Sequence, residues 1–545
     1  MINRKKRVIA VALVCILLTI LGIVVYSACR KRHAESAVQM FSFNEDLVKK
    51  ENNDKCRTTY EIFVYSFCDS DGDGMGDING IRSKLDYIEE MGFDQIWLTP
   101  VHPSPTYHKY DVSDYYEIDP VFGTLEDYEA LLKECHQRGI TVLMDLVLNH
   151  TSVSNSWFKY ASDYLHELPY DWAPDIGYCK YFDYYNFSRE QRDGFAPLEG
   201  TNWFYEARFW SGMPDLNLDS EFVRSEVESI ASYWLEKGVD GFRLDAVTSY
   251  YTGVSQSNAD FIRWFCNMCR AISPDCYIVG EAWTDKNSIA ALYSSGIDSL
   301  FNFPFSGNEG IIRNTVGGFI KASDFVYAMM SSDDTYRAQN PDYVDAPFYT
   351  NHDIARSAGY YTLDEGPETK MAYGLSLLMS GNSFVYYGEE IGMKGSGKDE
   401  NKRAPMYWSD DSAYPGICAG PPDMDDVTMK FEPVDKQKQD DLSLLNWFKQ
   451  VIKVRQAFPS IRSGRVSAAE GVNSDVIAAF YKETAGEEPV LIVINLSHEV
   501  QNCDLNDNLA KEFDLVAVLN TSEEDILFKD GELQIPAFSI AVLTY

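Results

Sequence analysis

Short apolar runs alternate with amphipathic segments along most of the chain. The run Glu61–Tyr65 carries β-branched and aromatic residues, and the segment after it places Ile81, Leu85 and Ile88 on one helical face. Seven more strand-like runs follow, with helical segments between them: Gln95–Leu98, Thr141–Leu146, Val239–Asp245, Cys276–Glu281, Ser299–Phe303, Pro347–Thr350 and Phe384–Tyr387. Because strand, helix and strand at this spacing pair in parallel, the pattern predicts an α/β fold, a (β/α)8 TIM barrel.

The alternation is interrupted once and then ends. From Thr151 to Ser211 the chain is rich in Tyr, Trp, Asp and Phe with little periodicity, which predicts an inserted subdomain after the third strand. Beyond about Ser463 only strand-like runs remain, which predicts a C-terminal antiparallel β-sandwich. The expected domains are a signal or membrane-anchor segment (1–32), a linker (33–57), the first part of the barrel (58–150), an inserted domain B (151–212), the second part of the barrel (213–462) and the β-sandwich (463–545).

The first residues have the pattern of an export signal. A basic cluster, Arg4–Arg7, precedes an apolar run from Val8 to Val25, and small residues then lead to Cys29. The ending is similar to a bacterial lipoprotein signal with an acylated Cys29, and the run is also long enough for an uncleaved anchor. We expect an extracellular protein tethered to the membrane by one of these two means.

Charge narrows the possible partners. The formal net charge is -36, and no basic stripe offsets it, so the surface repels phosphate backbones and excludes nucleic acid as a partner. Aromatic residues make up 14% of the chain. These rings fill a core or stack on sugar faces, and composition alone leaves both interpretations open.

Acidic residues stand at the ends of four predicted strands: Asp145, Asp245, Glu281 and Asp353. In an eight-stranded α/β barrel, side chains at these carboxyl ends form the active site. Glycoside hydrolysis requires such a set, because one acid protonates the leaving oxygen while a carboxylate attacks the anomeric carbon. Arg243 lies two residues before Asp245 on the same side of its strand, where its charge favours the ionised carboxylate.

Four segments in this order resemble the hallmark regions of the α-amylase family, glycoside hydrolase family 13: Asp145–His150, Gly241–Val247, Gly280–Trp283 and Thr350–Asp353. Further matches are Met213–Asn217, Gly381–Glu390 and Arg403–Trp408. The resemblance implies that Asp245 is the nucleophile, Glu281 the general acid/base and Asp353 the transition-state stabiliser. It implies substrate contacts by Tyr110, Asp111, His150, Arg243, His352 and Arg356.

The segment after the first strand has alternating Asp and Gly, as calcium-binding loops have. The ligands that the resemblance implies are Asp69, Asp71, Asp73, Asp77 and the backbone oxygen of Met75. A solvated acidic turn is the alternative. Thr248 and Ser249 stand where many family members have Lys-His, so the His ligand of a second calcium site is missing although Asn149 is present, and that site stays open. Tyr107 replaces the Asp of exo-acting α-glucosidases, which favours an open, endo-acting cleft.

The resemblance therefore implies a retaining hydrolase of internal α-1,4-glucosidic bonds in starch, glycogen and maltooligosaccharides. Met213–Asn217 resembles neopullulanases, so a cyclomaltodextrinase- or neopullulanase-type activity stays open, as does an α-glucosidase or glucan transferase. From another class, the heavy chains of some amino-acid transporters join one anchor to an amylase-like ectodomain. Those chains typically have gaps in the catalytic set, whereas Asp245, Glu281 and Asp353 are all present here.

Overall fold

A computed structural model describes residue 44 and residues 46–52, 54–361, 366–509 and 511–545. The described strands are β1 (Thr58–Ile62), β2 (Gln95–Leu98), β3 (Thr141–Leu146), β4 (Phe187–Ser188), β5 (Phe195–Pro197), β6 (Phe204–Glu206), β7 (Gly241–Leu244), β8 (Tyr277–Gly280), β9 (Ser299–Leu300), β10 (Ser383–Tyr386), β11 (Arg465–Ala468), β12 (Ile477–Glu483), β13 (Val490–Asn495), β14 (Gln501–Asp504), β15 (Asp514–Asn520), β16 (Leu527–Lys529), β17 (Glu532–Ile535) and β18 (Ser539–Thr544).

The α-helices span Ile78–Ser83, Leu85–Met91, Leu125–Gln137, Ser156–Glu167, Glu221–Glu236, Ser255–Ile272, Lys286–Tyr293, Ile311–Val316, Ala322–Arg337, Pro367–Leu377, Asp399–Lys402, Val434–Gln437, Leu444–Ala457, Pro459–Ser463 and Leu505–Leu509. Single 3-10 turns occupy Val64–Ser66, Lys180–Tyr184, Phe303–Phe305, Ser357–Gly359 and Glu389–Ile391. In the described part of the chain, no helix has both the length and the apolar character of a membrane span. The predicted signal or anchor segment, 1–32, lies outside the described residues.

Seven parallel strands form a curled sheet in the order β10-β1-β2-β3-β7-β8-β9. The segment around residues 346–348 closes it, because Phe301 bridges Ala346 on one side and Phe348 bridges Phe384 on the other. The (β/α)8 barrel predicted from the alternation is confirmed. The strand predicted at Pro347–Thr350 is reduced to two isolated bridges, and the first strand begins at Thr58, since Val64–Ser66 forms a 3-10 turn.

The barrel interior is filled by large apolar side chains. They come from neighbouring strands and form one buried cluster: Trp97, Leu143, Tyr277, Val279, Phe301, Phe303, Ala346, Phe348 and Phe384. Alternate residues of a strand point to the same side, so Leu143 and Val279 set the direction of Asp145 and Glu281. The apolar cluster therefore forms the floor beneath the acidic residues at the strand ends.

Two further units accompany the barrel. Between β3 and β7, the helix Ser156–Glu167 precedes a small antiparallel sheet in the order β4-β6-β5. After the barrel, a five-stranded sheet in the order β11-β12-β13-β18-β15 accompanies the three-stranded sheet β14-β17-β16. The antiparallel C-terminal strands match the predicted fold class, whereas sequence patterning missed β11, β14, β16 and β17, which are short or partly exposed.

One arginine connects the helix Leu444–Ala457 to the base of the barrel. Arg455 is buried, and its guanidinium donates to the carbonyl oxygens of Leu377 at 2.8 Å, Met379 at 2.6 Å and Gly381. Burial lowers the pKa of Arg455 to about 10, so its side chain stays charged at neutral pH. It therefore satisfies the carbonyl groups that the helix Pro367–Leu377 and the turn after it leave open.

We expect Arg455→Met to destabilise the fold strongly. Each buried carbonyl left without a donor costs about 1–3 kcal/mol, so the loss should reach at least about 3 kcal/mol in urea unfolding. Lys449→Met is the matched control on the same helix, because Lys449 makes only the half-exposed pair with Glu90, and it should cost less than about 1 kcal/mol. Equal stability of the two variants would show that Arg455 has no such role.

Candidate active site

The structure brings four carboxylates to one end of the barrel. Asp145 lies in β3, Asp245 and Glu281 follow β7 and β8, and Asp353 follows the closing segment. The side chain of Asp145 is fully buried, those of Asp245 and Glu281 are 11% and 10% exposed, and that of Asp353 is 31% exposed. The set therefore opens from a buried floor towards solvent at Asp353.

The guanidinium of Arg243 lies at the centre of the set and is fully buried. Its Nη1 is 2.9 Å from Asp145 Oδ1 and 2.7 Å from Asp245 Oδ1, while Nη2 is 3.0 Å from Glu281 Oε2. Since an arginine is always charged, one cation faces three acidic groups. It cannot offset three negative charges, so at least one of the acids is favoured in its protonated form.

Glu281 is that acid. Burial raises the pKa of its carboxyl to about 7, and the charges of Asp245 and Asp353 add to the effect, although Arg243 opposes it. Burial likewise raises the pKa of Asp145 to about 6, again against Arg243. Glu281 Oε2 also accepts the backbone N–H of Ala246 at 3.1 Å, which fixes the carboxyl beside Asp245. The site thus holds an acid that can both donate and accept a proton near neutral pH.

Asp353 has the opposite environment. Its Oδ1 accepts from Arg403 Nη2 at 2.7 Å, and its Oδ2 lies 3.2 Å from His352 Nε2. Burial by itself raises the pKa of Asp353, but His352 and Arg403 outweigh it and hold the pKa below its usual value. Asp353 is therefore an ionised carboxylate beside a protonatable one.

Glu61 forms a hydrogen bond with the second ring nitrogen of His352. Nδ1 lies 2.6 Å from Glu61 Oε1, and the backbone N–H of His352 donates to the same oxygen at 3.3 Å. Burial lowers the pKa of an imidazolium, but Asp353 and Glu61 outweigh it and raise the pKa of His352 to about 10. The ring is consequently a buried cation at neutral pH, held between two carboxylates.

Aromatic rings complete the walls. The hydroxyl of Tyr110 is 2.9 Å from Asp145 Oδ2 and 2.8 Å from His352 Nε2, and its ring stacks on the imidazole with centroids 5.3 Å apart. Phe209 lies 5.2 Å from the His150 ring, and Trp283 stacks on Phe303 at 5.0 Å. Both Phe209 and Trp283 are about half exposed, so flat apolar surface borders the carboxylates.

The residues predicted to contact substrate do not all lie at the active site. His150 reaches the site, with Nε2 donating to the Tyr110 carbonyl at 3.2 Å. Asp111 accepts from Ser104 at 2.6 Å and from Thr106, which shapes the loop before Tyr110. For Arg356, the expected substrate contact is wrong, because the buried guanidinium donates to carbonyl oxygens of Tyr387 and Lys402 behind the site.

Sequence reasoning missed three functional neighbours: Glu61, Arg403 and Trp97. Glu61 was visible as a charge inside an apolar strand run, and Arg403 begins one of the matched motifs. Trp97 donates its indole N–H to Asp145 Oδ2 at 3.3 Å, for which the strand pattern carried no signal. Each pairing joins residues from different strands or loops, so it depends on barrel closure.

The acidic loop after β1 gathers carboxylates as well. Ligand oxygens of Asp69, Asp71 and Asp77 lie within 4.8 Å of one another. Asp73 stands outside that group and accepts the backbone N–H of Met75 at 2.7 Å. Asp77 also caps the helix Ile78–Ser83 by accepting from Gly80 at 2.7 Å. Carboxylate oxygens are the donors that Ca²⁺ prefers, so the donor set fits that ion.

Known proteins are similar to this chain along most of its length. The family described as "Alpha amylase, catalytic domain" matches residues 61–464. Alpha-amylase 3 of Dictyoglomus thermophilum is 36% identical over 477 residues, covering 85% of this chain and 89% of the relative. The trehalose synthase/amylase TreS of Mycolicibacterium smegmatis is 30% identical over 510 residues, covering 82% and 84%. The solved structure of Eubacterium rectale Amy13B is 44% identical, with a TM-score of 0.91 over 93% of this chain and 98% of that one.

The Glu61–His352 contact predicts a measurable pKa. In the unaltered protein, the imidazole signals of His352 in NMR should titrate near the pKa of about 10 given above. Glu61→Gln keeps the shape of the side chain but removes a charge-assisted hydrogen bond of about 1.5–3 kcal/mol, so the pKa of His352 should fall by about one or more.

Glu390→Gln provides the matched control for this titration. Glu390 is also buried, but its carboxylate accepts from the hydroxyls of Tyr60 and Tyr87 rather than from a histidine. Its variant should leave the pKa of His352 unchanged. An unchanged titration in Glu61→Gln would contradict the inference that Glu61 holds the imidazolium.

Proposed function

We propose that this chain, a member of the α-amylase family of glycoside hydrolases, cleaves internal α-1,4-glucosidic bonds of starch, glycogen and maltooligosaccharides with retention of configuration. One observation carries the proposal: Arg243 holds Asp245 and Glu281 side by side, and burial raises the pKa of Glu281 to about 7. A retaining glycosidase requires two neighbouring carboxyl groups, one of which can donate a proton near neutral pH.

The first step uses both groups. Glu281 donates its proton to the glycosidic oxygen as the bond to the anomeric carbon breaks, and the Asp245 carboxylate forms a bond to that carbon. The products are a free sugar hydroxyl and a covalent glycosyl ester on Asp245. Glu281 then accepts a proton from water, whose oxygen displaces Asp245, so the enzyme returns to its starting state and the configuration is retained.

The remaining charges stabilise the transition state. The anomeric carbon becomes positively charged in both steps, and the ionised Asp353 offers a fixed negative charge to it. Arg243 Nη1 donates to Asp245 Oδ1 at 2.7 Å and so orients the carboxylate that attacks the anomeric carbon. Tyr110 supplies a ring beneath the sugar, and the imidazole rings of His150 and His352 hydrogen-bond its hydroxyl groups.

Tyr107 supports cleavage inside a chain. The position lies beside Asp353, because the Tyr107 hydroxyl accepts from Arg403 Nη1 at 2.9 Å and Arg403 also holds Asp353. A phenol there presents no carboxylate to grip the terminal hydroxyl groups of a chain end. A glucan chain can therefore continue past this position, as endo-action requires.

Product analysis tests the proposal. Soluble starch and a maltooligosaccharide blocked at its non-reducing end should both be cleaved, and the new reducing ends should first be detected by NMR as α-anomers. Pullulan, which carries α-1,6 bonds, should be the poorer substrate, and preferential cleavage of pullulan would favour the neopullulanase-type alternative. First release of β-anomers would contradict retention.

Asp245→Asn is the variant that tests the nucleophile. The amide keeps the shape but cannot attack the anomeric carbon, so starch hydrolysis should fall by at least about a thousandfold while the circular dichroism spectrum stays unchanged. Phe319→Ala, which truncates an exposed ring between the helices Ile311–Val316 and Ala322–Arg337, is the control and should keep full activity. Residual activity of Asp245→Asn within about tenfold of the unaltered protein would remove Asp245 from this role.

We also propose that the acidic loop binds one Ca²⁺ through Asp69, Asp71 and Asp77, with Asp73 and the Met75 backbone oxygen as further ligands. The clustered carboxylates support this, because they repel one another unless a cation joins them. When bound, the ion would fix the loop that follows β1.

We propose further that the N-terminal segment, residues 1–32, exports the enzyme and tethers it at the cell surface.

Calcium removal should lower stability. A cation that binds only the native state stabilises it by mass action, so a chelator should lower the unfolding temperature by several degrees and added calcium should restore it. Asp71→Asn should be less stable and insensitive to calcium. Asp114→Asn is the control, since Asp114 makes the same type of turn, accepting from Tyr116 at 2.9 Å, outside the loop. A melting curve that chelation leaves in place would make the loop a solvated acidic turn.

A further inference from the structure

The loop after β2 contains a residue in a strained backbone conformation. Lys109 has a φ of 66°, in the left-handed region, where the Cβ of any residue other than glycine crowds the following carbonyl oxygen. Residues in such conformations persist only where the surrounding structure holds them, and they concentrate at functional sites. The next residue along the chain is Tyr110, the ring proposed to lie beneath the sugar.

The side chain of Lys109 ends in a buried ion pair. Its Nζ lies 2.6 Å from Asp119 Oδ2, and both side chains are 8% exposed. The same Nζ donates to the Ser104 carbonyl at 3.3 Å and lies 5.5 Å from the centroid of the Phe122 ring. Breaking a buried pair leaves one charge without compensation, which is strongly unfavourable. The ammonium of Lys109 is therefore fixed in place.

Asp119 is itself attached to the end of β2. Its backbone N–H donates to the carbonyl of Val101, three residues beyond that strand, at 2.8 Å. Its carboxylate also accepts the backbone N–H groups of Ser104 at 3.2 Å and of Val121 at 3.1 Å. The ion pair therefore connects the backbone of Lys109 to the rim of the barrel.

The left-handed backbone sets where Tyr110 lies. The Tyr110 N–H donates to His108 Nδ1 at 3.2 Å, and its carbonyl accepts from His150 Nε2 at 3.2 Å. Its hydroxyl contacts Asp145 at 2.9 Å and His352 at 2.8 Å. A change of the preceding φ to the ordinary negative range would rotate the peptide that leads into Tyr110, and the ring would leave this position.

From these contacts we infer that Lys109 is a positioning residue for the hydrolysis: its ion pair with Asp119 holds the left-handed backbone that places the Tyr110 ring beneath the sugar. Lys109 acts through Tyr110 and does not itself meet the substrate. The inference rests on the proposed function, because the position of the ring matters for catalysis only when a glucan occupies the site. Glycine adopts the same φ without steric cost, so a glycine at this position needs no ion pair.

Two double variants separate the backbone from the charges. Lys109→Met with Asp119→Asn removes both charges, keeps the side-chain volumes and leaves the steric cost of the left-handed backbone. Lys109→Gly with Asp119→Asn removes the same charges but permits that backbone. The kcat/KM for maltohexaose should fall at least about tenfold in the methionine variant and stay within about threefold of the unaltered enzyme in the glycine variant. Lys237→Met, which breaks an ion pair with Glu129 at the end of the helix Glu221–Glu236, is the control and should keep the kcat/KM of the unaltered enzyme.

A third member makes the series graded. Asparagine enters the left-handed region more readily than methionine and less readily than glycine. Lys109→Asn with Asp119→Asn should therefore have an intermediate kcat/KM. The comparison of glycine with asparagine also keeps the test decisive if the methionine variant does not fold.

NMR reports the position of the Tyr110 ring without any hydrolysis. The imidazole of His352 stacks on this ring with centroids 5.3 Å apart, so the tyrosine shifts the imidazole proton signals. The signals should move in the methionine variant and keep their positions in the glycine variant. Adding Tyr110→Ala, the reference for a missing ring, to the methionine variant should lower kcat/KM by less than about threefold more than Tyr110→Ala alone does, because two changes that act through one residue are not additive.

Three results would overturn the inference: a methionine variant with the kcat/KM of the unaltered enzyme, equal losses in the methionine and glycine variants, or effects of the changes at Lys109 and Tyr110 that multiply. Failure of the proposed function looks different. In that case the unaltered enzyme would leave maltohexaose intact, while the His352 signals would still report whether the ion pair places the Tyr110 ring.

Discussion

The site depends on one buried cation. Arg243 has no exposed surface, and its two terminal nitrogens contact Asp145, Asp245 and Glu281 at 2.7–3.0 Å. Removing one partner of a buried ion pair leaves the other charge uncompensated, which typically costs 3–5 kcal/mol. The acids therefore cannot vary independently of the arginine. Their spacing and orientation follow from how β7 presents this single side chain to the neighbouring strands.

The apolar floor makes that cation effective. Large rings such as Trp97, Phe301 and Phe348 fill the barrel below the charges, and they exclude water from the lower side of the site. Charge interactions are stronger in such surroundings than in water, so neighbouring acids can differ in pKa according to their burial and their cationic partners. Glu281 gains a pKa of about 7, whereas Asp353, nearer to solvent and paired with His352 and Arg403, is held ionised. The proposed acid–base chemistry thus depends on the packing of the barrel core.

Much of this arrangement could be predicted because it depends on local patterns in the sequence. Strand and helix periodicity indicated the barrel, and acids at strand ends indicated where Asp145, Asp245, Glu281 and Asp353 would meet. The predictions that failed concerned contacts between distant parts of the sequence, or the direction in which a side chain points. Glu61 meets a residue 291 positions away, and Arg356 turned away from the cleft towards backbone carbonyl groups. The helix Ser156–Glu167 was also missed, because aromatic residues that pack on other rings occur on several of its faces.

Hydrogen bonds join the inserted unit to the barrel: the Ser152 N–H donates to the Val112 carbonyl at 2.9 Å, and the Tyr184 hydroxyl donates to Glu226 Oε1 at 3.0 Å. Residue Asn149, beside His150, donates to Asp215 at 3.2 Å, and His150 forms an isolated bridge with Asp215. Burial raises the pKa of Asp215 to about 7, with the charge of Glu206 adding to the effect. The outer surface of the unit does not enter this junction, since the rings near Trp172 and Tyr178 are exposed and held by the unit's own hydrogen bonds. The contacts of Arg243 with its three acids are therefore set by the barrel strands and not by this outer surface.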